Sequence, residues 1–414
     1  MEQTENTYDK PPFAEFVIII SMMISITALS IDAMLPALSK ISSELNVVNP
    51  NDRQLVVSVL FLGMAFGQLF FGPLSDSIGR KRPVYAGFAL FIAGSLLSAL
   101  STNFNMMLAG RLLQGLGISG PRTVTMAIVR DRYKGRMMAR VMSFAMTIFI
   151  LVPMIAPSMG QAVLQFTGWR GIFIALILFA LITMLWFGIR MPETLDPERR
   201  SEFSLRRILN ATKEIIGIRA AIGYTISTGL IGGAFLGYLN SAQQIFAEQY
   251  GLGDLFPIFF AIISGALGLA SFLNSRLVMR YGMRFLVIWS MRAILVLGVI
   301  GFIVASLAQG QPPLWVLITY LMLTFFSIGI LFGNQNSLAM EPLGHLAGMG
   351  AAIIGAFSTL IQMPLGTLIG RSYNGTVLPL ITGIAIMAFL SILVVAWVNA
   401  DKENPDLEFE SVTP

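Results

Sequence analysis

The sequence predicts an all-α integral membrane protein: twelve transmembrane helices in two six-helix, pseudo-symmetric halves. Three observations predict it. Twelve apolar runs fall at 13–36, 55–74, 84–101, 106–128, 139–164, 169–189, 220–247, 256–275, 285–307, 314–338, 347–370 and 376–398. Each is close to the roughly 20 residues that cross about 30 Å of hydrocarbon. Most connections are short, but the charged stretch 190–219 separates six runs from six. Finally, the loop after the second run returns in decayed form after the eighth, with Gly282 aligned to Gly79 and Met279 standing where Asp76 stands. The expected organisation is therefore an N-terminal half at 1–189, a linker at 190–219, a C-terminal half at 220–400 and a polar tail at 401–414.

Composition supports each element. With 55% hydrophobic and 12% charged residues and a mean hydropathy of +0.76, the chain does not read as a set of soluble domains. The apolar run that follows Met1–Pro12 is too long for a signal-peptide core and is kept as the first helix. The absence of cysteine excludes disulfides, thiolate catalysis and cysteine-based metal sites. A single histidine, His345, leaves nothing from which to build a histidine cluster. No metal and no cofactor is expected. The net charge of +5 points to anionic lipid, and no nucleic-acid partner is expected.

Orientation follows from the basic residues. With a cytoplasmic N-terminus, twenty Lys and Arg fall on the inner side, and four, Lys40, Arg53, Arg170 and Arg371, on the outer. That asymmetry places both termini in the cytoplasm. The three remaining arginines, Arg111, Arg122 and Arg292, lie within runs. One inner loop, Gly72–Pro83, holds one carboxylate, Asp76, and three consecutive cations, Arg80, Lys81 and Arg82. Here Gly72 would let the second helix pack closely, Gly79 would permit a tight turn, and Asp76 would cap a neighbouring helix N-terminus.

Charge inside the runs marks candidate sites. Asp32 lies near the outer end of the first run and Arg111 near the outer start of the fourth. Both are roughly one turn deep, so they are placed to meet or to share a water. A carboxylate in a spanning helix costs about 2.5 to 3.5 kcal/mol on insertion scales, so Asp32 needs a partner, a wet cavity or a proton. Desolvation favours the acid and a neighbouring arginine favours the carboxylate. Tyr238, Asn240, Gln243 and Gln244 lie towards the outer end of the seventh run, and Asn334, Gln335 and Asn336 towards the inner end of the tenth. Such amides avoid lipid, either by lining a central cavity or by bonding between helices. Arg122, beside Pro121, and Arg292 have no assigned role. Arg206, Arg207 and Lys213 in the linker fit an amphipathic segment on anionic lipid.

Gly72–Lys81 fits G-x-L-x-D-x-x-G-R-K and resembles the loop between helices 2 and 3 of major facilitator superfamily transporters, with Ser77 where the family usually carries a cation. Arg111–Gly117 resembles the family's R-x-x-Q-G-x-G motif in helix 4. Ala156–Gln161 resembles its helix 5 antiporter motif, with Ala156 and Gln161 replacing two glycines. Together with Ser30–Pro36 and Glu341–His345, these residues resemble the bicyclomycin-resistance (Bcr/CflA) drug:proton antiporter branch over essentially the whole chain. The resemblance implies proton coupling at Asp32 and Arg111, a cytoplasmic gate at Asp76 and Arg80 joined by Arg130 and Asp131, and a helix 5 hinge at Pro157. Pro153 is a second kink candidate without a motif role.

The expected function is proton-coupled export of small, mostly lipophilic compounds across a bacterial inner membrane, driven by the proton gradient, by a monomer that has protons, a small-molecule substrate and the bilayer as partners. A second reading keeps the fold and changes the cargo to a metabolite or siderophore, or reverses the direction to proton symport. An intramembrane enzyme lacks a nucleophile–base pair or metal cluster. A channel lacks a selectivity filter or charge ring.

Overall fold

In the computed structural model, residues 11–400 are described. The tail expected at 401–414 lies outside them. Every regular element among these residues is helical. α1 (Phe13–Asp32) runs into a 3₁₀ turn at Leu35–Ala37, where Pro36 removes a backbone donor, and then into the short α2 (Leu38–Glu44). The first apolar run is therefore broken at Asp32, short of its expected end at 36. There follow α3 (Leu55–Ile78), α4 (Lys81–Ala99), α5 (Phe104–Arg132), α6 (Gly135–Thr167) and α7 (Trp169–Arg190). The linker forms one helix, α8 (Leu205–Gly217). Then come α9 (Arg219–Gln243), α10 (Phe256–Tyr281), α11 (Met283–Leu307), α12 (Leu314–Met340), α13 (Ala347–Arg371) and α14 (Leu378–Asn399).

Twelve of these helices coincide with the twelve apolar runs. Eleven are long and apolar enough to cross a membrane by length and composition alone; α5 is the exception. Arg111 and Arg122, with Arg130, Asp131 and Arg132 at its end, lower its hydropathy. It nevertheless packs deep in its half.

Helix pairing repeats between the halves. α4 packs on α5, α3 on α5, α1 on α6 and α4 on α7; the counterparts α11 on α12, α10 on α12, α9 on α13 and α11 on α14 pack likewise. The halves meet along α3 with α13 and along α6 with α10, two pairs that exchange under the repeat. Close approach in the first half depends on α5 glycines. A Cβ on Gly115 would stand 2.0 Å from the Leu60 carbonyl of α3, and one on Gly117 would stand 2.3 Å from the Phe91 nitrogen of α4. Two residues apart on a helix, these glycines face different neighbours, so α5 is wedged against both.

The turn after α3 and the turn after α10 are the same. Gly79 has φ +94° and Gly282 has φ +76°. A side chain rarely adopts this region, which is why glycine persists where the rest of the loop has diverged. We call the end of the bundle carrying these turns the basic end.

Candidate functional site

Polar residues gather in three groups: at the basic end, inside the first half towards the opposite end, and between the halves at that opposite end. At the basic end, Arg80 is buried and reaches four oxygens, the most distant being Asp131 Oδ1 at 3.4 Å from Nη2. Its Nη1 donates to Asp76 Oδ1 at 2.5 Å and to Ser75 Oγ at 2.9 Å, and its Nε donates to Asp131 Oδ2 at 2.8 Å. Burial opposes the Arg80 charge, but the two carboxylates outweigh it and hold the guanidinium above its ordinary pKa. Sequence reading therefore brought Asp76, Gly79, Arg80 and Asp131 to one place, and the structure joins them there.

The linker completes this network in a way the sequence reading missed. Glu193 accepts the backbone N–H groups of Arg80 and Lys81 at the start of α4, at 2.8 and 3.1 Å. It also accepts those of Thr194 and Leu195, both at 3.0 Å. Burial works to raise its pKa, and the four N–H groups more than offset this, so the carboxyl sits below the usual range. Ser201 adds a bond from its N–H to the Asp76 carbonyl at 3.0 Å. The linker is thus strapped across the turn. A free carboxylate just after a spanning helix was the only signal, and nothing local says that the α4 N-terminus is its partner.

Asp76 and Arg130 also face the other half. A Cβ on Gly348, at the start of α13, would stand 3.6 Å from the Arg130 guanidinium and 4.0 Å from Asp76 Oδ2. No side-chain cap is made there, so Asp76 approaches the α13 N-terminus without hydrogen bonding to it. Gly72 stands opposite Ala352 of α13. A cavity of about 280 Å³ opens beside this contact, lined by Asp76, Arg130, Arg207, His345 and Gly348 among others.

Inside the first half, towards the opposite end, Arg111 is fully buried. It donates to the Val56 carbonyl at 2.7 Å, to Gln114 Oε1 at 2.7 Å and to the Ser30 carbonyl at 2.9 Å. Gln114 in turn donates to Ser95 at 2.7 Å. The expected meeting of Asp32 with Arg111 does not occur, because the guanidinium is committed to backbone carbonyls of α1 and α3. Asp32 is 5% exposed and has no hydrogen-bonding or ionic partner among the described residues. α6 presses on its neighbour: a Cβ on Gly160 would stand 2.0 Å from the Ala33 carbonyl. Pro153 and Pro157 lie within α6, which runs helical through both.

Across the boundary, Tyr238 of α9 lies near Asp32. Its hydroxyl is buried without a hydrogen-bonding partner among the described residues. The Tyr238 ring sits edge-on to Phe325 at 4.5 Å and stacks on Phe260 at 5.7 Å, with Phe235 and Phe332 continuing the aromatic wall.

The remaining α9 amides belong to the opposite end. Asn240 donates to Ser58 at 3.0 Å, Gln243 to Ser39 at 2.8 Å and Gln244 to Asn51 at 2.8 Å. Arg53 pairs with Glu248 through both carboxylate oxygens at 2.7 and 2.8 Å, and Arg371 pairs with Asp52. Each of these bonds joins one half to the other. In α12, Asn334 bonds Asn274 at 2.8 Å, Gln335 bonds Ser227 at 2.7 Å, and Asn336 is exposed. Of the seven candidate cavity residues, Tyr238 alone combines burial, an unbonded hydroxyl and a place opposite Asp32. Arg292 is exposed on α11 and lies over the Trp289 ring at 5.3 Å.

Two halves with matching helix pairs, meeting along two long seams and holding ionisable groups at their boundary, define a membrane transporter. The chain belongs to the major facilitator superfamily, whose family model matches residues 16–363. The uncharacterized MFS-type transporter YdgK of Bacillus subtilis (strain 168) is 30% identical over 362 residues, 85% of this chain and 87% of that one. A bicyclomycin resistance protein homolog of Haemophilus influenzae is 26% identical over 394 residues, 91% of this chain and 94% of that one. The crystal structure of a D-xylose-proton symporter superposes with a TM-score of 0.72 at 15% identity, over 95% of this chain and 98% of that one, which shows the shared fold. The family resemblance read from the motifs is borne out.

Proposed function

We propose that the protein is a proton-coupled antiporter that exports small, mostly lipophilic compounds across a bacterial inner membrane, with the basic end and both termini cytoplasmic. The observation that carries this reading is Asp32: a buried carboxylate, without a hydrogen-bonding or ionic partner among the described residues, at the boundary between the halves and near Tyr238. An intramembrane carboxylate without a partner is costly as an anion, and a proton removes that cost. Protonation and substrate then compete for one site. The deprotonated form binds the compound from the cytoplasmic side, and a proton arriving from outside releases it.

Three further features support the mechanism. The aromatic wall around Tyr238 gives an apolar surface for a lipophilic substrate. At the basic end Arg130 and the Arg80-bound Asp76 lie against Gly348 of α13, and at the opposite end Arg53 pairs with Glu248 across the halves, so each end has an inter-half contact that alternating access would break. Export is consistent with the relative named for bicyclomycin resistance. One proton crossing about 100 mV and one pH unit supplies roughly 2.3 plus 1.4 kcal/mol, enough for a gradient of several hundredfold.

The test is the pH-gradient response of inverted vesicles to a panel of lipophilic drugs and polar metabolites, with wild type and Asp32→Asn. Drug-dependent collapse of the gradient by wild type, absent in Asp32→Asn, is expected. Normal drug–proton exchange by Asp32→Asn would remove Asp32 from the mechanism, and collapse only with a polar metabolite would change the cargo.

A further inference from the structure

α5 carries a second intramembrane arginine that neither the motifs nor the Asp32 site employs. Arg122 lies about three turns beyond Arg111 and therefore on the same helix face, some 15 Å along the axis from the helix end at Arg132. Its surroundings are the reverse of those of Arg111. Arg111 is fully buried and spends its donors on α1, α3 and Gln114. Arg122 is exposed, and among the described residues it has neither a hydrogen-bonding nor an ionic partner.

The side of α5 that Arg122 occupies can be placed by elimination. Gly115 and Ser119 face α3, since a Cβ on Gly67 of α3 would stand 1.9 Å from Ser119 Oγ. Gly117 and Pro121 face α4, since a Cβ on Gly87 would stand 2.6 Å from Pro121 Cδ. Arg111 faces α1. The exposed residues on the basic half of α5 are Arg122, Met126 and Arg130, spaced by four and so forming one stripe. The last of them, Arg130, lies against Gly348 of α13, in the other half. The stripe thus looks into the cleft between the halves, away from lipid. Its basic end joins the cavity of about 280 Å³ that Arg130, Arg207 and His345 line.

An unpaired guanidinium within a spanning helix is costly and is retained where it meets a water-filled path or an anionic ligand. Its planar fork binds carboxylate, sulfonate and phosphate oxygens in pairs. Met126, 47% exposed beside it, offers a deformable apolar surface to the rest of such a molecule. We propose that Arg122 is an anion-recognition residue of the inter-half cleft, and that the compounds handled include amphiphiles carrying one acidic group, admitted past Arg130. This names a substrate class within the export reading and rests on it only for taking the cleft as the substrate path.

The test measures binding, which needs no proton gradient, so a failure of proton coupling leaves it intact. The full chain in nanodiscs is dialysed against two dyes that share one ring framework, the anionic 1-anilinonaphthalene-8-sulfonate and the neutral N-phenyl-1-naphthylamine, with empty nanodiscs subtracted. Wild type is expected to bind the sulfonate at least tenfold more tightly than the neutral dye. Arg122→Gln is expected to lose that preference while keeping its affinity for the neutral dye, and Arg122→Lys to restore part of it. Equal binding of the two dyes by wild type, or a parallel loss of both in Arg122→Gln, would overturn the proposal. Should Arg122→Gln fail to fold, the wild-type preference and the Arg122→Lys ratio still decide it.

Discussion

Gly79 and Gly282 adopt one backbone conformation at equivalent turns of the two halves, φ +94° and ψ 171° in the first, φ +76° and ψ 158° in the second. The cation next to each turn repeats a contact as well. Arg80 pairs with Asp131 at the end of α5, and Arg284 with Glu341 at the end of α12. The repeat therefore survives as geometry where the residues between have drifted, because the turn constrains φ and the ion pair constrains only charge.

The two ion pairs differ in strength, and this can be measured. In the first half the pair is 2.8 Å long with side chains 3% and 15% exposed; in the second it is 3.6 Å long with side chains 34% and 54% exposed. Asp131→Asn should lower the stability of the detergent-solubilised protein by about 2 kcal/mol, the scale of a charged hydrogen bond out of water. Glu341→Gln should cost under about 1 kcal/mol, as exposed pairs do. Thermal unfolding of both variants checks the order; a larger loss for Glu341→Gln would contradict it.

Glu193 should make the strap pH-dependent. Its carboxyl is held below the usual range in the folded protein. Its contribution is then complete above the unfolded-state value of about 4.3 and disappears as pH falls through the lower folded value. Glu193→Gln is therefore expected to unfold at a lower temperature than wild type from pH 8 down to about 5. The gap should narrow below about pH 4, where wild type loses the same charge. A gap that widened in acid would show that the carboxylate is not what holds the strap.

On the proposed mechanism the interlock at the end opposite the basic turns acts as a latch, and the absence of cysteine makes it easy to watch. Ser58, fully buried beneath Asn240, can be replaced by cysteine as the sole thiol. Glu248→Gln keeps the shape of the Arg53 contact and removes its charge. Loss of about 1.4 kcal/mol from the closed state would raise thiol labelling about tenfold. Unchanged labelling would mean that the side-chain hydrogen bonds of Gln54 to Gln244, Asn240 to Ser58 and Gln244 to Asn51 close this end without the ion pair.

How much of this was legible beforehand varies with the range of the interaction. The helices were, since crossing hydrocarbon demands a local run of apolar residues, and even α5 could be placed between its neighbours although arginines and glycines dilute it. The turn at Gly79 was legible because positive φ leaves a residue signature. Arg80 with Asp76, four residues apart, was nearly so, because one turn of helix brings them together. The pairing of Asp32 with Arg111 was expected from depth alone and does not form, since depth does not say which way a guanidinium turns. Glu193 on the α4 N-terminus and Glu248 on Arg53 had no local sign.

Sequence alone carries the class of architecture: twelve spanning helices, a charged turn repeated in each half, and three arginines and one aspartate, Arg111, Arg122, Arg292 and Asp32, inside the membrane boundary. These follow from hydropathy, charge bias and backbone sterics, which act over a few residues. Only the tertiary structure decided which polar groups are spent and which are left over. Arg111 is consumed by carbonyls of two neighbouring helices, whereas Asp32, Tyr238 and Arg122 keep unbonded groups between the halves. That difference depends on how α1, α3, α5 and α9 close on one another, and such packing is a property of the whole bundle.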